Sequence, residues 1–331
     1  TSGDKATGYG LKDKLLFKNS IKYLQSLQQP FYAKYITVTN HFPYTLDDED
    51  KDPNFQTTNT GDSNVDNYFV TAHYLDQSIQ EFFNYLQKTG LDKKSIIMIY
   101  GDHYGISNSE NTSLASVLGK SADDWTDFDN AQLQRVPLMF VIPGTGHGKV
   151  YHTYGGEVDV LPTLLHLLGI SSKRYIQFGT DLFSSKHNQV VAFRNRDFVT
   201  PTYTSVGGTI YNNKTGKEAK LTKKQQEKLK KDQDFVNEEL TLSDSLNEKN
   251  LLRFYHPKGF KNVNPADYNY SNGLKRAQRI EKKKGIKSTS IYSENGDRST
   301  VDDYSTDAPE QSHSSTDSNR IKITNPDANN K

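Results

Sequence analysis

Two short apolar runs constrain the fold most: Ser95 to Tyr100, reading Ser-Ile-Ile-Met-Ile-Tyr, and Val136 to Ile142. Neither alternates apolar with polar residues, as a strand wetted on one face does. Each therefore reads as a strand buried on both faces, as in a parallel sheet. The first run stops at Gly101 and the second at Pro143-Gly144. Helical patterns lie around them. Val65, Tyr68, Phe69, Ala72, Leu75, Ile79, Phe82, Phe83 and Leu86 share one helix face, with Asp62 or Ser63 as N-cap and Gly90 as terminator. Val158 to Leu168 reads as another helix, ended by Gly169, and residues 32–39 and 189–193 read as further strands. Strand, helix, strand, helix in this order predicts an α/β layered domain.

After residue 200 the character changes. Gly207-Gly208 followed by Thr209-Ile210-Tyr211 predicts a hairpin turn and arm. Residues 222–239 predict a highly charged surface helix, and 242–253 a second short one. From about residue 274 a basic run, with Lys275, Arg276, Arg279, Lys282, Lys283, Lys284 and Lys287, leads into Ser/Thr/Asp/Asn-rich sequence. That composition predicts a tail without packed structure, because it offers little apolar surface to offset the entropy of ordering. The run Lys282-Lys283-Lys284 suits anionic lipid or polymer as well as plain solvation. The divisions expected are residues 1–200, 201–273 and 274–331.

Composition removes several function classes. Cysteine is absent, which excludes disulfides, thiolate metal ligands and a cysteine nucleophile. Lys+Arg is 41 and Asp+Glu 40, a net charge of +1, so no global attraction to nucleic acid follows and no nucleic-acid partner is expected. There is no apolar run of about 18 residues, the length that crosses a bilayer. The first seven residues are polar and do not read as a signal peptide.

The chemistry concentrates at Tyr100-Gly101-Asp102-His103-Tyr104-Gly105-Ile106-Ser107. A strand ends and an Asp-His pair follows at once, at the strand end where α/β sheets bind ligands. Gly101 and Gly105 free the backbone to turn, so both side chains can face one point. A carboxylate oxygen and an imidazole nitrogen suit Mn²⁺, Zn²⁺ or Mg²⁺. A capping Asp and a half-buried His is the plainer reading of the same pair. In Thr37-Val38-Thr39-Asn40-His41-Phe42-Pro43-Tyr44 a second strand end carries His41, placed to donate to a phosphate oxygen beside such an ion. Glu157 and Asp159 read as stabilisers of a helix N-terminus. His166 reads as a core-edge or surface residue, and His147, Lys149 and His152 as parts of a solvated Gly-rich loop.

Taken in order, these segments resemble lipoteichoic acid synthases. The resemblance rests on Thr39 to Tyr44, Asn59-Thr60-Gly61-Asp62, Ile99 to Ser107, Gly156 to Leu164, Phe178-Gly179-Thr180-Asp181-Leu182-Phe183 and His187-Asn188-Gln189-Val190-Val191. Gly10-Leu11-Lys12-Asp13-Lys14 and Leu252-Arg253-Phe254-Tyr255 extend it, so that it covers most of residues 8–273. It implies an α/β/α sandwich of the sulfatase/alkaline-phosphatase type, with its N-terminal part missing and a small C-terminal α+β subdomain. It also implies that Asp102 and His103 ligate one divalent ion, Mn²⁺ before Mg²⁺ or Zn²⁺. His41 would hold the phosphate of the glycerol-phosphate group and Ser107 would contact it. The implied reaction moves glycerol phosphate from the phosphatidylglycerol head group to a growing polyglycerol-phosphate chain. It would run at the extracellular face of a bacterial membrane, reached through an upstream anchor, or after release to the cell wall. One departure is large. The family's threonine nucleophile, a further glutamate ligand, and a substrate-binding tryptophan and arginine precede the matching segment and have no counterpart here. A hydrolytic phosphodiesterase or sulfatase of the same superfamily, and a non-catalytic fragment that binds glycerol-phosphate polymers, are the alternative expectations.

Overall fold

The computed structural model describes residues 6–7, 9–146, 148–173 and 175–312. His147 and the last part of the expected tail, 313–331, lie outside the described residues. A short antiparallel pair, β1 (Ala6–Thr7) and β2 (Gly10–Leu11), leads into helix α1 (Asp13–Leu24). Helix α2 (Ser63–Lys88) follows, capped as expected by Asp62, whose carboxylate accepts from the backbone N–H groups of Asn64 and Val65. These two helices carry the main core. Phe17, Ile21 and Leu24 of α1 meet Tyr85 and Leu86 of α2, with Leu91 closing one end.

The segment 32–39, expected as a strand, is not one. No ladder partner lies beside it among the described residues, and its end is held instead by the first residue of α1. The Asp13 carboxylate accepts from the N–H groups of Val38 and Thr39, and the Asp13 N–H donates to Thr39 Oγ1. Asp13 is fully buried. Burial pushes its carboxyl up to about 6, against the pull of those backbone bonds.

The two apolar runs do form strands, β3 (Ile97–Tyr100) and β4 (Leu138–Val141), and they pair with each other. The ladder is antiparallel, with Ile97 opposite Val141 and Tyr100 opposite Leu138, rather than parallel. It is also half-wetted, with Met139 and Val141 exposed. An apolar run reports hydrophobicity but not strand direction. Here the intervening chain, including helix α3 (Asp127–Gln132), turns back to the same edge. The expected helix at 158–168 is a 3-10 turn over Glu157–Asp159 leading into α4 (Val160–Leu167), closed at Gly169.

Residues 191–212 form a four-stranded antiparallel meander: β5 (Val191–Ala192), β6 (Phe198–Val199), β7 (Tyr203–Val206) and β8 (Thr209–Asn212). Gly207 and Gly208, both at positive φ, make the predicted two-residue turn between β7 and β8. The two helices expected at 222–239 and 242–253 are one, α5 (Lys223–Glu248), because no breaker separates Leu240 from Leu242. It starts at a Thr222/Gln225 capping box and stops before Asn250, whose φ is +46°. It packs against β5, and its Val236 is fully buried, as is Phe198 of the meander.

The tail expectation fails over residues 274–312. Helix α6 (Tyr270–Lys284) is formed, and the strap that follows packs on α1 and α2. Ile291 and Tyr304 belong to the main core. Gln25 accepts from the Thr300 N–H at 2.7 Å, Lys18 donates to the carbonyls of Val301 and Tyr304, and Tyr85 bonds Thr300. At the far end Lys12, fully buried, pairs with Glu310, Asp50 and Asp47. A few apolar anchors and many polar bonds hold a segment whose average composition suggested neither.

Candidate functional site

Three of the four residues singled out above converge. Asp102 and His103 follow β3 directly, and the Asp102 Oδ1 lies 3.9 Å from His103 Nε2. Across from them the imidazole of His41 stands edge-on to that of His103, with ring centroids 5.6 Å apart and planes at 87°. The Tyr9 ring also stands edge-on to His41, with centroids 4.8 Å apart.

The two histidines are set up alike. His103 Nδ1 lies 2.7 Å from the Tyr104 carbonyl and His41 Nδ1 lies 2.9 Å from the Phe42 carbonyl. A carbonyl only accepts, so each Nδ1 carries the proton and donates it. In the neutral ring each Nε2 then presents a lone pair. Fixing the tautomer through a bond on the other nitrogen is how ligating histidines are usually held.

Backbone geometry explains how the two loops come together. Tyr44, buried at the exit of the His41 loop, donates its hydroxyl to the carbonyl of Gly105 on the Asp102 loop. Burial pushes that hydroxyl up to about 12, reinforced by Tyr68 and Glu110, so it stays a donor across ordinary pH. Gly105 is needed there for space, since a Cβ would sit 2.4 Å from Cε2 of Tyr68. Gly101 is needed for the same reason against Val136, at 2.8 Å. From the other side Thr71 of α2 donates to Asn40 Oδ1 at 2.8 Å and steadies the residue before His41.

Ser107 stands apart from this triad. Its hydroxyl bonds Ser109 at 2.6 Å and Glu110 at 3.2 Å, and Glu110 in turn accepts from Asn64 at 2.6 Å. Asp159 is taken up structurally. Its two oxygens accept from the N–H groups of Gly156 and Thr180, as a helix-start carboxylate does. His187, whose side chain is buried, bridges Thr180 Oγ1 and the Tyr154 carbonyl at 2.6 Å each and belongs to the same scaffold. His166 is a surface residue paired with Asp181.

The donor set fits a divalent ion in part. Two ligands held ~2.1 Å from a shared ion at roughly right to tetrahedral angles stand ~3.0–3.4 Å apart, a short rotamer adjustment from 3.9 Å. Asp102 and His103 are both more than half exposed, so they are free to make it. Among the described residues no group of three or more His, Asp or Glu side chains encloses a metal position. Two candidate ligands with a second imidazole nearby are what these residues contribute. Tyr44 and Tyr9 are the participants that sequence reading left without a role. Tyr44 lay inside a quoted motif, but nothing local in the sequence reveals a hydroxyl that reaches a carbonyl 61 positions away.

Known proteins resemble this chain in sequence family and in fold. A family model described as Sulfatase matches residues 2–170. Lipoteichoic acid synthase 2 of Bacillus subtilis (strain 168) is 53% identical over 268 residues, 81% of this chain and 40% of that protein. Lipoteichoic acid synthase of Staphylococcus aureus (strain USA300) is 45% identical over 274 residues, 83% and 41% respectively. The crystal structure of lipoteichoic acid synthase LtaP from Listeria monocytogenes superposes with a TM-score of 0.63 at 26% identity, covering 74% of this chain and 61% of that one. A protein in the alkaline phosphatase superfamily from Vibrio parahaemolyticus, at 17% identity and a TM-score of 0.52, shares the fold over 75% of this chain and 57% of its own. The chain thus spans about 40% of the length of the curated relatives it matches. With its α/β architecture, and with relatives that are lipoteichoic acid synthases, the chain belongs to the sulfatase family.

Proposed function

We propose that residues 1–331 form part of a metal-dependent enzyme that transfers glycerol phosphate from phosphatidylglycerol to a growing lipoteichoic acid chain, at the extracellular face of a bacterial membrane. The observation that carries this reading is the convergence of Asp102 Oδ1 and His103 Nε2, 3.9 Å apart, with the His41 ring beside them. The kinship with lipoteichoic acid synthases supplies the substrate class.

In this reading Asp102 and His103 hold one divalent ion, Mn²⁺ before Mg²⁺ or Zn²⁺. Bound there, the ion supplies charge neutralisation at a phosphate oxygen and a lowered pKa for an attacking hydroxyl. His41 keeps its Nδ1–H on the Phe42 carbonyl. It binds phosphate by taking a second proton on Nε2 and donating that proton to an oxygen, so it acts as an imidazolium. Ser107 donates its hydroxyl to the glycerol phosphate only by giving up its bond to the Glu110 carboxylate. The threonine nucleophile implied by the resemblance has no match in residues 1–331, so the full transfer is assigned to a chain that includes it.

Two measurements test the proposal. Mn²⁺ titration of residues 1–331 should give weak binding that Asp102→Ala or His103→Ala weakens at least tenfold further. Diacylglycerol release from phosphatidylglycerol by the longer protein should fall at least a hundredfold with His103→Ala, the scale of losing a metal ligand or transition-state contact. Unchanged Mn²⁺ affinity in both variants would remove the metal assignment.

A further inference from the structure

Helix α6 (Tyr270–Lys284) has no fully buried residue. It rests on the body through one stripe, the half-buried Leu274, Ala277 and Glu281, and the Glu281 carboxylate accepts from Gln28 at 2.7 Å. At ~100° per residue, Lys275, Arg276, Arg279, Lys282 and Lys283 fall within an arc of about 120° on the side away from that stripe. All five are exposed. Lys284 and, just past the helix, Lys287 extend the charge.

Two plainer explanations fall short. Cations in a last turn complement the helix dipole, which accounts for Lys282, Lys283 and Lys284 but not for Lys275, Arg276 or Arg279. Surface lysines also commonly pair along their own helix, as Lys228 with Asp232 and Lys230 with Asp234 do on α5. On α6 Glu281 is the one acidic residue, and Gln28 already engages it. The chain as a whole carries only +1, so the positive field is local to this face.

The same stretch of chain bares large apolar side chains. Phe254, Phe260, Tyr268 and Tyr270 are each more than half exposed, and Ile286 is fully exposed. Singly such residues need no explanation. Clustered in sequence around a cationic helix, they match the two attractions of an interfacial segment: cations for anionic headgroups and aromatics for the headgroup–acyl boundary. A soluble polyanion would engage the cations and leave the aromatic rings without a use. We propose that the α6 face and its flanking aromatics form a docking surface for an anionic lipid bilayer. The inference rests on α6 and its flanking aromatics and does not depend on the Asp102–His103 site.

The test is flotation of the 331-residue chain with phosphatidylcholine vesicles, with and without phosphatidylserine, an anionic lipid outside the proposed reaction. Binding should require phosphatidylserine. Each cation near an anionic surface contributes roughly fivefold, so Lys275→Gln/Arg279→Gln/Lys283→Gln should weaken binding about a hundredfold. The same charge removed from α5, as Lys223→Gln/Lys224→Gln/Lys231→Gln, should change it less than threefold. Phe254→Ser/Phe260→Ser should weaken it further, and His103→Ala should leave it unchanged. Equal losses from the α5 and α6 variants would reduce the effect to net charge and overturn the proposal. So would indifference to Phe254→Ser/Phe260→Ser, or binding to a soluble glycerol-phosphate polymer without binding to vesicles.

Discussion

Replacing Lys12 by Met tests the interior charge cluster that ties the C-terminal strap to α1. The ammonium is 1% exposed and meets three carboxylates: Glu310 at 2.7 Å, Asp47 at 2.7 Å and the nearer Asp50. Burial lowers the pKa of Lys12, but the three carboxylate bonds outweigh it and the net shift is upward. Its stabilisation is therefore present below the ordinary lysine pKa and is lost only at higher pH. Methionine keeps most of the side-chain volume, so the change is mainly electrical. Asp47 is 23% exposed and regains water, but Asp50 and Glu310 are at 0% and 1% and do not. Stranding buried charge in this way costs about 3–5 kcal/mol, a large part of the roughly 5–15 kcal/mol that holds a domain together. The loss should depend on pH. Burial already raises the Asp50 pKa in the presence of Lys12, so without the ammonium Asp50 resists ionising more strongly. A raised acid loses stability as pH climbs through its folded pKa, so the deficit should be larger at pH 8 than at pH 5. Urea midpoints at the two pH values measure it. Amide exchange across residues 289–311 should speed up in parallel, and Glu310→Gln added to the variant should recover part of the loss. A deficit below about 1 kcal/mol, or one that is the same at both pH values, would refute the reasoning.

Three further outcomes follow from the same contacts. With the Asp13 carboxyl raised to about 6, folded stability should decline by up to roughly 3 kcal/mol as pH rises from about 4 past 6; Asp13→Asn should flatten that slope, and an unchanged urea-midpoint profile would count against it. Gly105→Ala forces the Tyr68 ring away from a Cβ placed 2.4 Å from it, a cost of about 1–3 kcal/mol; a thermal midpoint equal to wild type would mean the ring yields freely. Ending the chain at residue 287 uncovers the core positions of Ile291 and Tyr304, each contributing about 1.5–3 kcal/mol; the melting temperature should drop by several degrees, and no drop would show that the strap is dispensable.

What could be read in advance was what is local. Asp102 and His103 are adjacent at a strand end, which is local information. His41 is expected beside them as the end of a second strand over 32–39, and its ring does stand beside His103 although that strand is not formed. The helix face from Val65 to Leu86 and the glycine pair at the β7–β8 turn are likewise written in periods and turn residues. What could not be read depends on distant partners. The direction of the β3–β4 ladder is set by how residues 101–137 return. Residues 32–39 have strand-like composition but spend their last N–H groups on the Asp13 carboxylate. The strap misled for a related reason. Its apolar residues are sparse, and its order comes from individual bonds to Gln25, Gln28 and Lys18 that composition averages away.

The start of α1 has a larger part in the candidate site than its distance in sequence suggests. Lys12 and Asp13 are neighbours, yet they grip opposite ends of one loop. Asp13 takes the N–H groups of Val38 and Thr39, just before His41. Lys12 takes the carboxylates of Asp47 and Asp50, just after it. Between those grips Tyr44 is fastened to the Gly105 carbonyl, on the loop that carries Asp102 and His103. The His41 loop is thus pinned before, within and after the turn, and its imidazole is oriented by its own Nδ1 bond. Exposed side chains cannot rely on packing to hold them, so their precision has to come from the backbone beneath. Fixing that backbone at three points limits how far the His41 ring can drift from the 5.6 Å it keeps to His103. A misplacement of about 1 Å can cost on the order of a hundredfold in rate, so a loop fixed by buried charge is a physical requirement of the proposed chemistry rather than an accident of folding.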